Sequence, residues 1–298
     1  MYKLPSEYVE QIGEIIWVDP PHYQGINDLD KIEIYFGDRI TVEMANNIPN
    51  LKWIHLSCVG TDKLKGNLNK NIIVTNSKGV LTQQMVSTIL SFMFGLSRLQ
   101  PQCDYLRSAN RFTREDVDNL YMDKVQDVFG QRCCIVGCGE VGNKLKDILY
   151  DTFGMTVFTI NRSTSLWKLS ELKYLVAASD FVINLLPLTN GTKNVFNEYI
   201  FKSMKPSSYF INVGRGGTVV ENDLIHALST NQIAGAGLDV FETEPLSNDS
   251  PLLRLNNVIL SPHIASYSKT YWERSYKLFT DNLQLYKQNK TLLNIIEL

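Results

Sequence analysis

The sequence predicts an α/β protein built on two parallel sheets, each wound on both faces by helices. Three observations predict it. Short apolar runs rich in β-branched and aromatic residues alternate with amphipathic stretches along almost the whole chain. Such alternation favours parallel strands whose helical crossovers cover both faces of a sheet. The runs fall into two series, parted near 98–130 by a long polar and charged break that holds Pro101. A length of 298 residues is long for one domain and comfortable for two.

In the first series "EIIWV" (14–18), "KIEIYFG" (31–37), "LKWIHLS" (51–57) and "IIVTN" (72–76) read as strands. Each is short and bounded by Pro, Gly or Asn. Segments 40–47 and 82–98 read as helices. The second series holds "RCCIVG" (132–137), "TVFTI" (156–160), "DFVINLL" (180–186), "SSYFINV" (207–213), "AGAGLDV" (234–240) and "NVILSP" (257–262), with helical patterns at 140–151, 193–204 and 221–230. The last segment, 269–298, reads as helical with no strand partner, a tail expected to pack back on the first domain.

Composition narrows the function. With 44% hydrophobic and 20% charged residues the chain is an ordinary globular protein. A net charge of −2 gives no electrostatic case for nucleic acid or an anionic membrane. Arg98, Arg107, Arg111 and Arg114 form a basic run, but Asp104, Glu115 and Asp116 dilute it to a solvated helix face. The start "MYKLPSEYVEQ" lacks the apolar core of a signal peptide. No run approaches the roughly 18 apolar residues of a membrane span. Five cysteines, two of them adjacent in a strand, suit reduced thiols in a cytoplasm. No metal is expected, because the histidines are scattered and no cysteine pair has ligand spacing.

"CCIVGCGEVGNKL" places Gly137, Gly139 and Gly142 in the spacing G-x-G-x-x-G between a strand and a helix. That context marks a dinucleotide loop. The first glycine allows a tight turn, the second a close approach to pyrophosphate, and the third close helix–strand packing. The helix start at Glu140, Val141 and Gly142 offers N–H groups and a positive dipole end to phosphate. The next strand should end in an acid that holds the adenosine ribose. It ends instead at Ile160, followed by Asn161, Arg162 and Ser163. Without the acid a 2′-phosphate meets no repulsion, and Arg162 can pair with it bidentately. The expected cofactor is NADP(H), with NAD(H) as the second choice.

Three downstream motifs carry the chemistry. "INVGRGGTVVENDLIHAL" puts Arg215 in a glycine-rich turn after a strand. "GAGLDVFETEP" puts Asp239 at a strand end and Glu244 before Pro245, and "VILSPHIAS" puts His263 after another strand. Carboxyl ends of parallel strands are where open α/β sheets hold ligands. An arginine there can grip a 2-oxo carboxylate, and a histidine can protonate the carbonyl oxygen as hydride reaches carbon. A glutamate on the other ring nitrogen orients the imidazole and raises its pKa. Singly, each residue has an ordinary structural reading.

Together these residues resemble the D-isomer-specific 2-hydroxyacid dehydrogenase family. "LKWIHLSCVGTD", "VTNSKGV", "GCGEVG", "LLPLTNGT", "NVGRGGTVVENDLIHAL", "AGLDVFETEP" and "SPHIAS" occur in family order. The residues at 161–163 look like the NADPH-preferring glyoxylate and hydroxypyruvate reductase branch. The resemblance implies two Rossmann-like or flavodoxin-like domains, the cofactor domain (98–267) inserted in a substrate domain (1–97 with 268–298). It implies Arg215 as substrate clamp, His263 as acid/base and Glu244 as its partner. It implies substrate carboxylate binding by the N–H groups of Val59 and Gly60. The implied cofactor contacts are Leu186, Pro187, Thr192, Val213, Gly214, Asp239 and His263, besides the glycine loop and residues 161–163. A homodimer with contacts around 98–125 is also implied. His55 is open to a substrate-facing role. Tyr267, Tyr271 and Trp272 are expected in packing, and His22 and His226 at the surface. The reaction expected is reduction of a small 2-oxo acid to the D-2-hydroxy acid. Two other readings stay open on this scaffold: a dinucleotide-sensing co-repressor, and a dehydrogenase of formate, phosphite or a phosphorylated hydroxy acid.

Overall fold

A computed structural model describes residues 29–161 and 169–297. The expected strand at 14–18 and His22 lie outside the described residues, as do Arg162 and Ser163. Contacts divide the chain into two units. One runs to Leu81 and resumes at Tyr267; the other, Thr82–Ser266, is inserted in it.

In the first unit β1 (Ile34–Gly37), β2 (Trp53–Leu56) and β3 (Ile73–Asn76) are parallel, in the order β1-β2-β3 among the described residues. Side chains alternate across a strand, and the alternation sorts two cores. Tyr35, Ile54 and Val74 pack with Ile40, Ala45 and Leu64. Ile34, Phe36 and Trp53 pack with Tyr271, Trp272 and Phe279 of the helix Tyr271–Lys287. Phe279 stacks on both Phe36 (4.5 Å between centroids) and Trp53 (5.4 Å). Truncating such a buried ring to alanine costs about 3–5 kcal/mol. The tail corrects the sequence reading. Beyond the helix, Ile296 N donates to Val74 O (2.9 Å) and Asn76 N donates to Asn294 O (3.2 Å), so residues 294–296 find a partner in β3.

In the second unit β4 (Arg132–Val136), β5 (Thr156–Ile160), β6 (Phe181–Asn184), β7 (Tyr209–Asn212), β8 (Gly235–Leu238) and β9 (Val258–Leu260) form one parallel sheet. Its order is β5-β4-β6-β7-β8-β9. Cys134, Val136, Val182 and Phe210 point to one core, shared with Leu172, Ile200 and Leu224 of the helices on that face. Cys133, Ile135, Ile183 and Ile211 point to the other, shared with Phe92 and Leu145. The sheet is thus covered on both sides, as its apolar strands require.

The division by contacts differs from the expected boundary at 97. Helix Thr82–Ser97 sits with the second unit because its Phe92 and Leu96 lie on β8. That strand is bare there: a Cβ on Gly237 would lie 2.7 Å from Phe92 Cγ. The break at 98–130, whose basic run reads in the sequence as a solvated helix face, is helical over much of its length. It holds helices Gln100–Ser108 and Arg114–Tyr121. Pro101 starts the first of these, in the opening turn where its missing N–H is not needed. Thr113 caps the second by accepting from Asp116 N. The helix expected over 193–204 shrinks to Glu198–Phe201, opened by Asn197. Among the described residues no helix is long and apolar enough to cross a membrane.

Candidate active site

Parallel strands release their loops at one edge, and within the second unit that edge carries most of the candidate residues. The strand order reverses at β4, which has β5 on one side and β6 on the other. Loops at such a switch point diverge and leave room for a ligand.

The glycine loop leaves β4 there. Gly137 has φ +98°, and a Cβ on it would lie 2.7 Å from Leu185 C. The N–H groups of Gly137 and Cys138 donate to Ile160 O at 2.8 and 3.1 Å, which ties the loop to the end of β5 and to Asn161. A Cβ on Gly139 would meet nothing within 4 Å, so the space over the start of helix Glu140–Phe153 is open. The first-turn N–H groups of Glu140, Val141 and Gly142 have no acceptor inside a helix. Gly142 packs where a Cβ would press to 3.2 Å on Cys138 Sγ. These residues fit a pyrophosphate. Burial raises the pKa of the Cys138 thiol, which disfavours the reactive thiolate.

The loop after β6 folds on itself. Thr192 Oγ1 donates to Pro187 O (2.5 Å) and accepts from Thr189 N (2.8 Å). Leu186 passes close to the loop after β7: a Cβ on Gly214 would lie 2.8 Å from Leu186 O. Val213 is buried and Arg215 half-buried, with Arg215 Nη1 donating to Gly214 O at 2.8 Å.

The acid–base pair comes from the loops after β8 and β9. His263 Nδ1 meets Glu244 Oε2 at 2.6 Å. Glu244 Oε1 accepts from Phe241 N at 3.1 Å. The carboxylate holds the proton on Nδ1 and leaves Nε2 for a ligand. The hydrogen bond to Glu244 raises the His263 pKa against the opposing effects of burial and of Arg215. Burial pushes the Glu244 pKa up, but the bonds from His263 and Phe241 and the charge of Arg215 outweigh it and hold it low. Arg215 therefore acts on both members of the pair.

Asp239 has a use the sequence did not disclose. It is buried, and its carboxylate accepts from Ser261 Oγ (2.6 Å), Ile264 N (2.8 Å) and Ala265 N (2.9 Å). Its carbonyl accepts from His263 N at 2.8 Å. The His263 backbone stands at φ +56°, a left-handed setting that histidine tolerates better than most residues. Asp239 thus grips the loop on both sides of the histidine.

Val59 and Gly60 belong to the first unit. Val59 is exposed, and its carbonyl accepts from Asn76 Nδ2 at 2.8 Å. His55 does not face a ligand. It is fully buried among Phe36, Trp53 and Phe279, and burial pushes its pKa down to about 3. Tyr271 and Trp272 are buried in the same core, Tyr267 is half exposed, and His226 is exposed. Sequence reasoning missed the buried polar side chains Asn184, Asn212 and Thr218 beneath the loops. A signal was present: "FVIN" and "YFIN" both end an apolar strand in asparagine.

Comparison with known proteins finds relatives of the chain. Residues 90–265 match the family model described as D-isomer specific 2-hydroxyacid dehydrogenase, NAD binding domain. A glyoxylate reductase of Korarchaeum cryptofilum is 32% identical, covering 98% of this chain and 91% of the relative. A glyoxylate/hydroxypyruvate reductase B of Shigella boydii is 33% identical over 77% of this chain and 72% of its own. Among solved structures, an NADPH-dependent glyoxylate/hydroxypyruvate reductase of Sinorhizobium meliloti, in complex with NADP and malonate, superposes with a TM-score of 0.80. It is 26% identical and covers 99% of this chain and 94% of that one. A family model matched over residues 90–265 and relatives matched along nearly the whole length show that the chain belongs to the D-isomer specific 2-hydroxyacid dehydrogenase family.

Proposed function

We propose that this chain reduces a small 2-oxo acid to the D-2-hydroxy acid and prefers NADPH to NADH. The observation that carries the reading is the His263–Glu244 pair at 2.6 Å, set in the unit that also holds the glycine loop and Arg215. Relatives named as reductases favour an enzyme over the co-repressor reading.

The cofactor, when bound, supplies hydride to the carbonyl carbon. Gly137, Gly139, Glu140, Val141 and Gly142 hold its pyrophosphate, and Asn161, Arg162 and Ser163 hold the 2′-phosphate. Leu186, Pro187, Thr192, Val213 and Gly214 would line its cleft, and Asp239 would lie near the nicotinamide. Arg215 binds the substrate carboxylate and polarises the carbonyl. Val59 and Gly60, in the first unit, offer backbone N–H groups to a carboxylate. His263 carries a proton on Nε2 and delivers it to the carbonyl oxygen. Glu244 keeps the ring oriented and stabilises the imidazolium before transfer. All five cysteines are free thiols, which supports a reducing cytoplasm. Exposed Tyr105 and Phe112 on the helical segment 98–125 support a homodimer formed there.

The test is oxidation of NADPH and NADH, in parallel, against glyoxylate, hydroxypyruvate, pyruvate and phenylpyruvate. Faster turnover with NADPH supports the reading, and Arg162→Ala should then weaken NADPH while sparing NADH. Preference for NADH overturns the role given to Arg162. Tight cofactor binding with no oxidation of either cofactor overturns the substrate class.

A further inference from the structure

Two adjacent strands end alike. Asn184 closes β6, Asn212 closes β7, and the two are register partners in the parallel sheet. Each Oδ1 accepts the N–H two residues ahead: Leu186 N at 3.1 Å and Gly214 N at 3.1 Å. These are paired Asx-turns. A backbone N–H can only donate, so both amides have a fixed orientation. The Asn184 amide nitrogen then has two acceptors, Asn212 Oδ1 at 3.0 Å and Thr218 Oγ1 at 2.7 Å.

That fixes the direction of the last link. An amide nitrogen only donates, so Thr218 Oγ1 accepts from Asn184 and sends its own proton elsewhere. It sends it to Arg215 O, at 2.6 Å. Asn184 and Thr218 are fully buried, and Asn212 is 1% exposed. The polar hydrogens and lone pairs of these five bonds would be costly to leave unmatched in such a place. The chain of bonds therefore has one direction and little slack. It runs from the loop bearing Leu186, through Asn184 and Thr218, to the main chain of Arg215.

We propose that Asn184 and Thr218 are positioning residues: Thr218 sets the main chain of Arg215 for the substrate, and Asn184 couples that setting to the cofactor loop at Leu186. The inference rests on the substrate-clamp role of Arg215 proposed above. Neither residue touches the reacting atoms. Thr218 is one bond from the arginine carbonyl, while Asn184 serves both loops. The two should therefore differ in what they perturb.

Thr218→Val keeps the shape and removes the hydroxyl. KM for the 2-oxo acid should rise on the order of tenfold, with kcat and the NADPH dissociation constant near wild type, the pattern of a loss in uniform substrate binding. Thr218→Ser should restore KM to within about threefold, since it returns the same donor. Asn184→Ala should raise both KM and the NADPH dissociation constant. If the valine variant does not fold, Thr218→Cys, a weak donor of similar size, should give an intermediate KM. Cofactor affinity is read by nucleotide fluorescence and folding by thermal melting, both independent of turnover. A wild-type KM in Thr218→Val, failure of serine to recover it, or an Asn184→Ala variant with lowered Tm but unchanged KM and NADPH affinity would each overturn the proposal. Arg215→Ala is the control. If it leaves KM unchanged, the clamp reading fails and takes this inference with it. If it raises KM while Thr218→Val does not, this inference alone fails.

Discussion

Asp239→Asn is a change of one atom at the most constrained point of the candidate site. The aspartate oxygens accept three hydrogen bonds in a buried setting, two at Oδ1 from Ser261 and Ile264 and one at Oδ2 from Ala265 N–H. Asparagine can keep the acceptor facing Ser261 and Ile264. Its amide nitrogen then faces Ala265 N–H, donor against donor. One charge-assisted bond is lost, about 1.5–3 kcal/mol, and a buried N–H is left unmatched, about 1–3 kcal/mol. The two losses together come to roughly 3–5 kcal/mol. For a unit of this size that lowers Tm by roughly 10 °C. The same loop carries His263, so kcat/KM should fall on the order of 10²-fold, the cost of misplacing a reacting group by about an ångström. Ser261→Ala removes one bond and creates no donor clash, so it should cost about 1.5–2 kcal/mol and a smaller share of activity. Thermal melting and steady-state kinetics on both variants measure this directly. An Asp239→Asn protein that melts like the wild type, and whose only defect is weaker NADPH binding, would show that Asp239 does not anchor the loop and serves the cofactor alone.

Three further outcomes are expected. His263 has a raised pKa and in the proposed reaction donates its proton, so kcat/KM should hold at low pH and fall as pH rises through that raised value; Glu244→Gln should move the fall to lower pH, and an unmoved profile would remove Glu244 from the mechanism. Gly137→Ala forces a side chain onto φ +98° and onto Leu185, a backbone strain of about 1–2 kcal/mol before the clash, and should abolish tight NADPH binding; Gly154→Ala, at φ +61° with open space around it, should lose stability but keep NADPH affinity. His55 titrates near 6.5 when unfolded and at about 3 when folded, so its contribution is fully present above pH 6.5 and is lost as pH falls toward 3, at about 1.4 kcal/mol per pH unit. Acid unfolding of His55→Gln should be less steep by about one proton, and equal steepness would contradict a neutral buried imidazole.

Much of the fold is legible in the sequence. The β-branched runs marked the strands of both sheets because their burial on both faces leaves little room for polar residues. The candidate residues Arg215, Glu244 and His263 stand out in the sequence because each follows a strand and their side chains suit one reaction. Less legible was segment 98–130, where Pro101 reads equally as a stop or as a first-turn residue, and only a folded neighbourhood decides. His55 was readable in retrospect: Trp53 stands two residues before it, so the two side chains share a face and a core. Asn184 and Asn212 were not legible as a pair, since one sequence does not reveal that two strand ends are neighbours. The pairing of residues 294–296 with β3 carries no local pattern at all.

The His263 side chain keeps 47% of its surface in contact with solvent while its Glu244 partner keeps 34%. That exposure bears on how the cycle resets. After giving up its proton the imidazole needs another, and a ring nitrogen in contact with bulk water can take it from buffer without an internal relay of side chains. Reloading would then follow buffer concentration and solvent isotope, so a burst with deuterated solvent would separate proton resupply from hydride transfer.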